Sequence, residues 1–242
     1  MKQQQRESWF IPSSARTIPA WEYHAHTIHS DGQTDMETMV NRAVACQLQR
    51  LIFTEHTEPD MHPRQDWFRN YADDVQEWRQ RSATVIDVRL GLEVPVVDFT
   101  GTVVMSDEMA EQSDFILGAV HAYPGYGWQL QQLEPELAID IEFRASMGLL
   151  DNRNIDAIAH IGGICQRFVT PFPLELFDEV VRKAVDRGIA VELNPAYHQP
   201  MQPYFDCCRR HGAWITPGSN AHGPEDLGLA YAQLAQRVSM TS

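Results

Sequence analysis

Phe115-Ile116-Leu117-Gly118-Ala119-Val120-His121 is an unbroken apolar run that stops at a histidine. A strand with one wet face would alternate, so an uninterrupted run suits a parallel strand covered on both faces. Six further strand-like runs flank it: Trp21 to His26, Arg50 to Thr54, Val85 to Val94, Asp156 to His160, Ala190 to Leu193 and Trp214 to Pro217. Most are separated by segments of helical period. The clearest helix start is Thr34-Asp35-Met36-Glu37, which reads as a capping box led by Thr34. Trp67 to Arg81, Pro135 to Leu150, Leu174 to Arg187, Gln202 to His211 and Asp226 to Met240 are the other expected helices. Gly188 and Gly212 follow two of them as stops. His211, in a last helical turn, then reads as a dipole-compensating or surface residue.

Repeated βα units give an α/β fold with a parallel sheet, open or closed into a barrel. Seven strands favour the barrel, and barrels of this kind build their sites at the C-terminal strand ends. No internal repeat, low-complexity tract or linker interrupts the chain, so residues 1–242 are expected to form one domain, with residues 1–20 as an N-terminal extension. Pro195 to Pro203 and Tyr123 to Trp128 are expected as loops lining the mouth.

Composition excludes several classes. The four cysteines, Cys46, Cys165, Cys207 and Cys208, form no C-x-x-C pair and read as reduced, mostly buried thiols. Met1 to Phe10 lacks the apolar core of a signal peptide, and no later run is long enough to span a bilayer, so a cytoplasmic protein without a membrane partner is expected. A formal charge of −14 with dispersed basic residues opposes binding to a phosphate backbone, and no nucleic-acid partner is expected.

Histidines and acids sit where the apolar runs end. The stations are His24-Ala25-His26 with Asp31, Thr54-Glu55-His56, Gly91-Leu92-Glu93, Ala119-Val120-His121, Ala159-His160 and Asn220-Ala221-His222. His24 and His26 lie two apart and so share one face of a strand. Any one of these histidines alone reads as a core or surface residue; together they read as a metal site. Imidazole suits zinc, manganese or iron, and carboxylates add charge and can bridge, so more than one divalent ion is expected. His29 reads as a solvent-facing residue beside the first station, while His62 and His198 sit in loops that could as easily be exposed as substrate-facing.

With these motifs in order, H-A-H-T-I-H-S-D-G at His24 to Gly32, T-E-H at Thr54 to His56, G-L-E-V at Gly91 to Val94, G-A-V-H at Gly118 to His121, A-H-I-G at Ala159 to Gly162, E-L-N at Glu192 to Asn194 and G-S-N-A-H at Gly218 to His222, the chain resembles the PHP family. This is the polymerase and histidinol phosphatase superfamily of metal-dependent phosphoesterases. The resemblance implies a distorted (β/α)7 TIM-like barrel. It implies a first metal on His24, His26, Glu93 and Asn220, a second on Glu93, His121 and His160, and a third on Asp31, His56 and His222. Family members usually carry aspartate where this chain has Asn220, whose oxygen can ligate but brings no charge and cannot act as a base.

The function expected is hydrolysis of a small phosphomonoester, with a hydroxide bridging two metals as nucleophile. Asn220 and Arg167 are the candidate catalytic positions. Arg167, seven residues after His160, could hold a phosphate or another anionic group; solvation at the surface is the alternative. Histidinol phosphatases have a similar basic residue in this region, and histidinol phosphate is one candidate substrate. Tyr123, Tyr126, Trp128 and His198 are candidates for shaping the pocket. An amidohydrolase would need a bridging lysine at a strand end, and the chain has only Lys2 and the mid-helix Lys183. A PHP protein weakened by Asn220 is the non-catalytic alternative.

Overall fold

The computed structural model describes residues 9–62, 64–129 and 133–240. All seven expected strands form: β2 (Trp21–Ala25), β3 (Arg50–His56), β4 (Asp87–Pro95), β5 (Phe115–Ala119), β6 (Ala157–Ile158), β7 (Ala190–Leu193) and β8 (Trp214–Pro217). An eighth, β1 (Ile11–Pro12), pairs antiparallel with β8 and lies in the expected extension. Its neighbour Phe10 and its own Ile11 are buried, which is why that part of the extension is fixed. The sheet runs β1-β8-β7-β6-β5-β4-β3-β2, so the seven main strands are neighbours in chain order. With helices between them, this is the α/β fold of a distorted TIM-like barrel.

The helices are α1 (Met36–Ala45), α2 (Trp67–Arg81), α3 (Asp107–Gln112), α4 (Pro135–Leu149), α5 (Gly163–Phe168), α6 (Leu174–Arg187), α7 (Met201–His211) and α8 (Leu229–Met240). The cap of α1 is Asp35 rather than Thr34: its carboxylate accepts from the Thr38 backbone N–H at 2.9 Å. Either residue can cap, and the carboxylate reaches the third helical N–H from one position later. α3, α5 and a 3₁₀ turn at Pro59–Met61 have too few residues to show a period and were not expected. Gly188 and Gly212 end α6 and α7 at φ of 67° and 65°, as expected of helix stops. The last turn of α7 carries His211, paired with Asp178 at 2.9 Å.

The chain divides into two compact units, residues 1–15, 95–104 and 118–216, and residues 16–94, 105–117 and 217–242. Residues 1–8 of the expected extension, Lys2 among them, lie outside the described residues. In the first unit Phe177, Val180 and Val181 of α6 are fully buried, and β6 and β7 pair in parallel. In the second, Tyr23, Phe53, Leu92 and Phe115 are fully buried, with the Tyr23 and Phe115 rings edge to face at 5.6 Å. Every residue of β3 from Leu51 to His56 is buried. Each large side chain so buried contributes roughly 1.5–3 kcal/mol. The polar members of β3 must therefore find partners inside.

Candidate metal centre

In the second unit, strand geometry gathers the motif residues. His24 and His26 project from the same side at the end of β2, both fully buried, with their Nε2 atoms 3.0 Å apart. The β3–β4 register sets His56 opposite Glu93. The Oε2 of Glu93 lies 3.3 Å from His24 Nε2, 3.5 Å from His26 Nε2 and 3.2 Å from His56 Nδ1. Past β8, Ala221 bridges to Ala25 of β2, which brings Asn220 and His222 to the same place. Asn220 has φ of 51°, a left-handed conformation that asparagine tolerates, and its Oδ1 is 3.1 Å from His26 Nε2.

Asp31 completes the group from the turn after β2. Its carboxylate is 3.4 Å from His56 Nε2 and 3.2 Å from His222 Nε2. Two clusters result, His24, His26 and Glu93, and His26, Asp31, His56 and His222, with ligand atoms within 4.8 Å of one another in each. Burial, then repulsion from His56 and His24, pushes His26 well below the usual histidine range. A neutral imidazole is the form that ligates a metal. Asp31, despite the partial desolvation that opposes it, is held well below the usual carboxylate range by hydrogen bonds from His222 and His56.

The donor set fits divalent ions. Two imidazole nitrogens 3.0 Å apart can share one proton at most, yet the same spot also receives a carboxylate and an amide oxygen. The Nδ1 of His26 is buried without a hydrogen-bond partner among the described residues. A set rich in nitrogen with two carboxylates suits zinc, iron or manganese better than calcium or magnesium.

In the first unit, His121 and His160 lie just beyond β5 and β6, both buried, with rings stacked 5.7 Å apart. Glu192 of β7, fully buried, accepts from the His160 backbone N–H at 2.7 Å. Arg167 lies exposed on α5, and its Nη1 donates to the Tyr197 hydroxyl at 3.4 Å. The Tyr197 ring is 5.0 Å from that of His160, so this tyrosine joins the two positions. Sequence reading did not single out Tyr197; its only signal is a place in the expected Pro195–Pro203 loop.

The remaining histidines and aromatic residues have partners of their own. His62 and His198, for which exposure and a substrate-facing place were both open, are buried, and each ring bonds backbone. His62 Nε2 donates to the His56 carbonyl at 2.6 Å and its ring stacks on Trp67, whereas His198 spans Asn194 N–H and the Ile161 carbonyl. Burial lowers His198 to about 4, so it is a neutral bracket. Tyr123 is buried with its hydroxyl donating to Glu142 at 2.7 Å, while Tyr126 and Trp128 are exposed. His29 pairs with Asp74 at 2.9 Å. Lys183 of α6 pairs with Asp151 at 2.8 Å, which engages it away from any strand end.

Three buried carboxylates in strands went unassigned in the sequence reading: Glu22, Glu55 and Glu192. The legible signal was an acid inside an apolar run, which has to be matched by donors. Burial raises Glu22 and Glu55 each to about 7, against the hydrogen bonds they accept.

A family profile for the PHP domain matches residues 22–196. The chain is 26% identical over 215 residues to a "Probable phosphatase" of Acetivibrio thermocellus, covering 85% of this chain and 80% of that one. It is 24% identical to a "Probable histidinol-phosphatase" of Clostridium acetobutylicum, covering 87% and 89%. Among solved structures, histidinol phosphate phosphatase from Lactococcus lactis, complexed with zinc, L-histidinol and phosphate, superposes with a TM-score of 0.75 at 20% identity, covering 93% of this chain and 94% of that one. That likeness concerns the fold. The ordered motifs and the profile over most of the chain agree, and the protein belongs to the PHP domain family.

Proposed function

We propose that this protein is a metal-dependent phosphoesterase that releases phosphate from a small phosphomonoester at a di- or trinuclear centre. The observation that carries the reading is the convergence of His24, His26, His56 and His222 with Glu93 and Asp31. His24, His26, Glu93 and Asn220 would hold one ion, and Asp31, His56 and His222 another. The family resemblance adds His121 and His160 as further metal ligands. Bound divalent ions supply charge neutralisation of the phosphoryl oxygens and acidify water from a pKa of 15.7 to about 7.

The chain's own groups have separable tasks. Glu93 and Asp31 bring the negative charge that would retain cations, and the ions held there would leave a net positive centre for a phosphate dianion. Asn220 offers an oxygen but takes up no proton, so the base does not reside at that position. Arg167 would bind an anionic group of the substrate, a role supported by its hydrogen bond to the Tyr197 hydroxyl. Neither Lys183, engaged on α6, nor any other described lysine is available as an amidohydrolase bridge.

Histidinol phosphate is the first substrate to try, supported by the Clostridium relative's name and the ligands in the Lactococcus structure. Steady-state phosphate release should give a kcat/KM for histidinol phosphate at least tenfold above that for other small monoesters. Equal values across the panel would remove this substrate and leave the reaction class.

A further inference from the structure

Glu55 lies between Thr54 and His56 on β3 and is fully buried. Successive strand residues face opposite sides, so while His56 faces Glu93, Glu55 faces away and is no ligand. Its Oε1 accepts from the Thr27 backbone N–H at 2.9 Å and from the Thr27 hydroxyl at 2.6 Å. Its Oε2 accepts from the Ser30 hydroxyl.

These two partners bracket the metal-binding turn. Thr27 follows His26 directly, and Ser30 precedes Asp31 directly. The turn is also closed upon itself, since the Ser30 and Gly32 backbone N–H groups donate to the Thr27 carbonyl at 3.1 and 2.9 Å. A Cβ on Gly32 would stand 2.6 Å from backbone atoms of His26 and Thr27, so the turn packs against the strand end with no room to slide. Asp31 is itself exposed and leans on His56 and His222. Its backbone therefore depends on anchors on the inner side of the turn, where Glu55 is the buried carboxylate that bonds both Thr27 and Ser30.

We propose that Glu55 is a positioning residue for the ion held by Asp31, His56 and His222. One end of it carries His56 as its chain neighbour, and the other grips the turn that presents Asp31, so a single buried acid fixes the spacing of two ligands. The inference rests on the metal reading above. Partners that orient ligands typically change metal affinity by 10–100-fold.

The test is stepwise zinc binding by the full chain, read by competition with a chromophoric chelator and by elemental analysis, for wild type, Asp31→Asn, Glu55→Ala, Glu55→Gln and Ser30→Ala. Wild type should bind at least two zinc ions. Asp31→Asn should lose one step, and Glu55→Ala should weaken that same step at least tenfold while the other steps stay within threefold. Glu55→Gln, whose amide can still bond Thr27 and Ser30, should recover most of the affinity, and Ser30→Ala should fall between. Uniform weakening of every step, or an unchanged Asp31-dependent step in folded Glu55→Ala, would overturn the proposal. If Glu55→Ala does not fold, an unchanged step in Ser30→Ala overturns it. A wild type that binds no zinc would instead overturn the metal reading itself.

Discussion

Glu22 holds Ser219 twice: its Oε1 accepts from the Ser219 backbone N–H at 2.8 Å and its Oε2 from the Ser219 hydroxyl at 2.5 Å. The same carboxylate accepts from the His24 and Gly228 backbone N–H groups at 3.1 and 3.0 Å. It thus ties β2 to the segment that carries Asn220 and His222. Leaving such donors buried and unmatched costs about 1–3 kcal/mol each. Glu22→Ala should destabilise the apoprotein by more than about 3 kcal/mol and Ser219→Ala by about 2 kcal/mol, since the serine hydroxyl also accepts from the Ala230 backbone N–H at 3.0 Å and its loss leaves one acceptor and one donor unmatched. Urea unfolding of both variants checks this, and two unchanged midpoints would show the contact to be incidental.

Asn220 supplies a neutral oxygen beside His26. Asn220→Asp adds a negative charge to the same position without requiring a new backbone conformation, because aspartate also tolerates the left-handed region. Zinc affinity at the first step should rise about tenfold or more, consistent with a new charge-assisted ligand. Competition titration gives the number. If affinity is unchanged, the side chain does not ligate. Turnover that appears only in the aspartate variant would mark the native chain as a weakened enzyme.

Arg167 is expected to act in binding. Arg167→Ala should raise KM for a phosphomonoester about tenfold with kcat within threefold, and Arg167→Lys should recover part of it as a point charge without the planar fork. A fall in kcat at constant KM would move the residue from binding into the chemical step.

Glu142 of α4 gives a pH signature away from the proposed metal ligands. It accepts from Tyr123 Oη at 2.7 Å and from the Ile164 and Cys165 N–H groups that begin α5. Burial raises it from 4.5 to about 7, with these bonds opposing. Between those values the folded chain keeps a proton the unfolded chain has released, so this group's contribution to stability is full below about 4.5 and is lost as pH rises through about 7. Glu142→Gln should flatten the decline in unfolding free energy between pH 5 and 8. An identical slope in both proteins would remove Glu142 from that decline.

Much of this is legible in the sequence. β7 and β8 fall where the apolar runs place them, and β5 stops two residues before His121 because the ladder ends there. The histidine and acid stations were legible because a parallel sheet carries every strand's C-terminal end to one side. What escaped lacked a local period or a local partner. β1 is two residues long and exists by pairing with Ile215 and Trp214. The partners of Glu22 lie 197 and 206 residues away, a distance over which no spacing rule operates. Asp35 and Thr34 are both competent caps, and only the geometry chooses between them.

The central claim is tested most directly by inorganic phosphate release from a panel of small phosphomonoesters by purified protein, with added Zn²⁺ or Mn²⁺ and with a chelator. The expected result is turnover that the chelator abolishes, that either ion restores, and that His26→Ala lacks while still folding. No phosphate release from folded protein shown to carry its metals would contradict the phosphomonoesterase account.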